Sequence, residues 1–116
     1  VSELTPDVSQ DFESTIMELL VFAGSARSSA LMALQQARAG DFNASAAQMA
    51  ESKRAVTQAH QIQTRLIGLD EGSGKLAINL ITVHAQDHLM NAMVIQDLAD
   101  DMIELYRRQA QAEARG

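Results

Sequence analysis

Apolar residues recur at intervals of three and four along most of this 116-residue chain. The first series runs Phe12, Ile16, Leu19, Leu20, Ala23, Ala30, Leu34 and Ala37, the spacing of one buried stripe on a helix. Pro6 and Asp7 lie near its start, where a missing N–H and an acidic group are both well placed. Gly24 interrupts the stripe, as a kink or as a point of close approach by another helix. In "ARAGDF", residues 37–42, Gly40 reads as the residue that ends the first helix in a left-handed turn. Asp41 reads as the cap of the second. So short a connection makes the two helices antiparallel neighbours. The second stripe is Phe42, Ala46, Met49, Val56, Ala59, Ile62 and Leu66, on a helix that continues to about Asp70. "LDEGSGK", residues 69–75, is the next break. A third helix is expected from about Lys75 to the C-terminus, with Leu76, Leu80, Val83, Leu89 or Met90, Val94, Leu98 and Ile103 as its stripe. The tail "QAQAEARG" has no apolar stripe and is expected to fray. The pattern predicts an all-α fold of three long helices running up, down and up. It forms a single domain, 1–116, with residues 1–11 expected to be mobile.

Composition agrees. Ala, Leu, Met, Gln and Glu are abundant, aromatic residues make up 3%, and the one proline is Pro6, as in long helices. The third helix is apolar on more than one face, through Ile78, Leu80, Ile81 and Val83 and then Met90, Met93, Val94 and Ile95. Such a helix is buried on more than one face, which predicts a subunit interface. A small three-helix core also leaves narrow stability and favours oligomerisation. The formal charge of −6 argues against nucleic acid and against an anionic membrane surface. Lys and Arg are scattered along the chain, adjacent only at Lys53-Arg54 and Arg107-Arg108. The absence of cysteine excludes disulfides, thiolate metal sites and a cysteine nucleophile, and fits the cytosol. Uninterrupted apolar runs are only a few residues long, so no membrane-spanning helix is expected. The N-terminus lacks a signal-peptide pattern.

Candidate chemistry gathers in "VHAQDHLM", residues 83–90. On a helix, His84, Asp87 and His88 stand at i, i+3 and i+4 and share a face. Asn91 extends the row, with Leu80 a turn before it and Ile95 a turn after. A carboxylate in apolar surroundings is costly without a partner, and one helix does not easily supply it. Three readings stay open. In the first, the polar row fixes register and oligomer state in an interface. The His-x-x-x-His spacing can chelate a metal, although the Glu of the zinc-protease helix is replaced by Ala85. A neutral imidazole can also accept and release a phosphoryl group.

"HAQDHLM" at 84–90, with "IELY" at 103–106, resembles the lactose/cellobiose family of enzyme IIA components of the bacterial phosphoenolpyruvate-dependent sugar phosphotransferase system. "GSARSSALMAL" at 24–34, "ARAGDF" and "AHQIQTRLI" at 59–67 extend the resemblance over nearly the whole chain. It implies a homotrimer, a bundle of nine helices. It implies a phosphocarrier that takes a phosphoryl group from phospho-HPr and passes it to a cysteine of the cognate IIB component, as IIC imports a β-linked disaccharide. The implied phosphoacceptor is His84, through Nε2. Asp87 matches an aspartate that meets its symmetry mates on the trimer axis, where a divalent cation such as Mg2+ relieves their repulsion. His88, Gln86, His60 and Gln63 are expected in supporting roles, with ordinary interhelical hydrogen bonding for His60 and Gln63. Asn91 and Ala92 depart from the small hydroxyl residues often found there. The alternative is a structural or regulatory helical trimer without phosphotransfer.

Overall fold

A computed structural model describes residues 6–116 except 73 and 77, with side chains from residue 11 onward. All regular structure among the described residues is helical: α1 (Pro6–Arg38), α2 (Phe42–Asp70) and α3 (Leu80–Arg115). They form a slender body of 72 × 22 × 19 Å. α1 packs along both other helices, while α2 and α3 touch each other much less.

The first corner forms as its residues dictate. Gly40 has φ +88°, a conformation that costs a glycine little. The Asp41 carboxylate accepts the Ala44 N–H at 3.1 Å and caps α2. The second corner is longer. Glu71, at φ 54°, is the left-handed residue that ends α2, and its N–H bonds to the carbonyls of Ile67 and Gly68. The Asp70 carboxylate accepts the Leu76 N–H at 3.0 Å and the Gly74 N–H at 3.4 Å, holding this stretch as loop. Asn79 then caps α3 through the Thr82 N–H at 3.0 Å and the Thr82 hydroxyl at 2.7 Å. The third helix therefore starts at Leu80 and not near Lys75. Leu76 still packs on the core, but from the loop.

The N-terminal segment expected to be mobile is helical from Pro6, and residues 1–5 of it lie outside the described residues. At the other end, α3 continues to Arg115, through the tail expected to fray. Alanine and glutamine there favour helix without packing, and Gln109 donates to Glu113 at 3.3 Å.

The core is built largely of small residues. On α1 the buried positions are Ile16, Leu19, Ala23, Ala26, Ala30, Ala33 and Ala37. α3 contributes Ala85, Leu89, Ala92, Ala99 and Ile103. At mid-length, Ala26, Ala55 and Ala92 meet, one from each helix. Small side chains let the axes approach, and two buried serines of α2 use that proximity. Ser45 donates to the Ala33 carbonyl at 2.8 Å, and Ser52 donates to the Ala26 carbonyl at 2.7 Å. They stand two turns apart and bond to carbonyls two turns apart, a register lock between antiparallel helices. Gln96 of α3 donates to the Ser52 hydroxyl at 2.9 Å.

The buried stripes differ in part from expectation. Ala46 is exposed, and Ser45 takes its place in the core. Of the residues expected to line α3's core, Leu80, Val83, Val94 and Leu98 are exposed, and of Leu89 and Met90 only Leu89 is buried. They occupy a second, outward face, as the excess of apolar residues on this helix led one to expect. By length and composition residues 11–38 of α1 are apolar enough to cross a bilayer, a test that the core helix of a soluble protein also meets. Here Ile16, Leu19 and Ala23 pack against α2 and α3 in the core.

Candidate functional site

Because Asn79 sets the start of α3, His84 falls in its second turn. The His84 side chain is exposed, Asp87 is exposed, and His88 is half-buried. The His84 and His88 rings meet edge to face, with centroids 4.5 Å apart and planes at 70°. The shared face expected from their spacing is thus a real contact. It is a contact of ring on ring, a detail that two aromatic side chains at i and i+4 signal in the sequence.

Gln86 points elsewhere. Its Oε1 accepts the Nε2–H of Gln63 at 2.6 Å, a bridge from α2 to α3. Gln63 therefore makes the interhelical bond expected of it. His60, one turn earlier on α2, is exposed, and its carbonyl accepts the Thr64 hydroxyl at 2.9 Å. Asn91 is exposed, Ala92 is in the core, and Arg27 is exposed on α1. Met93 packs against the core around Leu89, whereas Met90 is 51% exposed.

Asp87 stands in the outward apolar stripe of α3, flanked by Leu80, Val83, Met90 and Val94. Among the described residues its carboxylate has no hydrogen-bond or ion-pair partner. Among the described residues no three His, Cys, Asp or Glu side chains gather into a metal-sized cluster. A hard cation at Asp87 suits the oxygen donor, but the other carboxylates of its site would have to come from further chains. Beside this face lies a cavity of about 350 Å³, whose lining includes Phe12, Ile16, Leu66, Leu76, Gln86 and Asp87. The signal for that cavity is dispersed over three helices and a loop, and periodicity does not reveal it.

The geometry offers an exposed imidazole in contact with a neighbouring ring and an exposed carboxylate on an apolar face. Residues 14–107 match the family model for the lactose/cellobiose-specific IIA subunit of the PTS system. The N,N'-diacetylchitobiose-specific EIIA component of Escherichia coli K12 is 43% identical over 104 residues, covering 90% of each chain. The crystal structure of the cellobiose-specific enzyme IIA from Bacillus anthracis superposes with a TM-score of 0.82 at 36% identity, over 98% of this chain and 97% of that one. The IIA component in the solution structure of the E. coli IIA(chitobiose)–HPr complex matches with a TM-score of 0.74 at 44% identity, over 84% of this chain and 95% of that one. The chain belongs to the lactose/cellobiose-specific IIA family, the phosphocarrier components of the sugar phosphotransferase system that work through a phosphohistidine.

Proposed function

We propose that His84 is the histidine that carries the phosphoryl group. The observation behind this is its exposed imidazole, in the second turn of α3, within the stretch that matches the family. The group arrives from phospho-HPr: the donor's N–P bond breaks as a bond from phosphorus to His84 Nε2 forms. It leaves to a cysteine thiolate of the cognate IIB component, with S–P formed as N–P is broken. Exchange between two phosphohistidines needs little acid or base catalysis, so in-line positioning carries the rate. The related E. coli chitobiose component forms a complex with HPr, which supports the donor. The sugar imported downstream is read as a β-linked disaccharide (chitobiose, cellobiose or lactose), after the relatives named for such sugars. The site works in the cytoplasm, with neither membrane insertion nor nucleic-acid binding.

The working unit is read as a homotrimer. Leu80, Val83, Met90, Val94 and Leu98 recur along α3 in steps of three and four around Asp87, with Leu80 86% and Val94 56% exposed. A stripe with that spacing suits helix-on-helix burial between chains. Three copies would bring three Asp87 carboxylates to one axis, where a divalent cation such as Mg2+ offsets their repulsion. The phosphate, with about −1.5 to −2 charge, would point away from that axis toward its partners.

Incubation with phosphoenolpyruvate, enzyme I and HPr tests the assignment. Label is expected on the wild type and absent from His84→Ala. Label that survives His84→Ala would place the phosphate elsewhere, and an unlabelled wild type would favour a structural or regulatory helical trimer.

A further inference from the structure

His84 is exposed, and its ring meets the ring of His88. An exposed imidazole otherwise samples several staggered rotamers, and only some aim a given nitrogen at a donor. His88 is different. It is half-buried and follows Asp87 toward the packed Leu89. Helical side chains lean toward the N-terminus, which brings the His88 ring back over the turn that bears His84. With centroids at 4.5 Å and planes at 70°, the pair has the edge-to-face geometry that aromatic rings prefer.

We infer that His88 is a positioning residue for phosphoryl transfer: its ring is the wall against which the His84 ring is held in line for its partners. The inference rests on His84 being the phosphoacceptor. The role belongs to the shape of the ring and not to a proton or a hydrogen bond. A second aromatic ring should therefore replace it, and a hydrogen-bonding side chain without a ring should not.

The test uses single-turnover transfer from phospho-HPr to His88→Phe, His88→Gln and His88→Ala proteins. His88→Ala and His88→Gln should lower the limiting transfer rate about three- to tenfold, the weight of one such ring contact. The phospho-HPr concentration at half-saturation should barely change, and His88→Phe should stay near the wild type. NMR couplings of the His84 side chain should show rotamer averaging in His88→Gln and one dominant rotamer in His88→Phe. Should His88→Ala fail to fold, the Phe and Gln variants decide by themselves. Equal slowing in Phe and Gln, full activity in Gln, or a change confined to half-saturation would each overturn the positioning role. A wild type that takes no label would instead remove the phosphoacceptor assignment beneath it.

Discussion

Ser52 gives its hydroxyl to the Ala26 carbonyl and receives the Gln96 amide, so one small side chain joins three helices. Removing it leaves a buried carbonyl and an amide short of partners. Ser52→Ala should therefore cost about 2 kcal/mol, read as a lower urea midpoint at unchanged slope. Neither Ser52 nor Ser45 is legible as core from the sequence, because hydroxyls are more often exposed. What admits them is the alanine opposite each one, which brings a backbone carbonyl within reach. The site residues were more open to reading. The i, i+4 spacing places His84 against His88 on any regular helix, and the motif names the candidate. The Gln63–Gln86 bridge depends on how two helices are set side by side, which spacing on one helix does not contain.

Each helix shows how small residues conceal packing. In α3 the core face is Ala85, Leu89, Ala92, Gln96, Ala99 and Ile103, in steps of four and three. Its larger neighbours Val83, Met90, Val94 and Leu98 form an equally regular stripe on the outside. Size alone selects the wrong face, since close-packed axes have room for alanine and not for leucine. The first corner was legible from Gly40 and Asp41. The start of α3 was not, because Leu76 and Ile78 prolong the apolar pattern past the cap at Asn79. Farther along α3, Glu104 accepts Arg107 at 2.8 Å and Arg108 at 3.1 Å, and Arg107 also lies over the Phe42 ring of α2, 5.6 Å from its centroid. The Arg108 bond, then the Arg107 bond, hold the Glu104 carboxyl below the usual carboxylate range. A lowered folded-state pKa stabilises above the unfolded value, about 4.3, and the benefit fades as pH falls through the folded one. NMR titration should find Glu104 below that value and moved toward it in Arg108→Ala.

At the scale of the whole molecule, one chain covers only part of its apolar surface. The outward stripe of α3 should decide assembly, and Asp87 within it should be dispensable for chemistry. In the proposed homotrimer, Asp87→Leu is expected to keep the assembly with a higher Tm and to keep most of its phosphotransfer, as should wild type treated with chelator. Val94→Asp is expected to dissociate, which sedimentation would register as a fall to the mass of one chain. Complete loss of transfer in a still-trimeric Asp87→Leu would contradict this division of labour.

The unequal corners also bear on how the chain comes together. The Gly40–Asp41 connection brings α1 and α2 side by side at little cost in chain entropy, and the two serine locks lie wholly within that hairpin. α3 is joined by the longer corner and rests mainly on α1. The hairpin is therefore expected to form first, with α3 docking later. Substitutions along the hairpin seam should slow folding, and those under α3 should chiefly hasten unfolding. The proposed phosphoacceptor, His84, sits on the helix expected to dock last, so competence for transfer should appear only after α3 has packed.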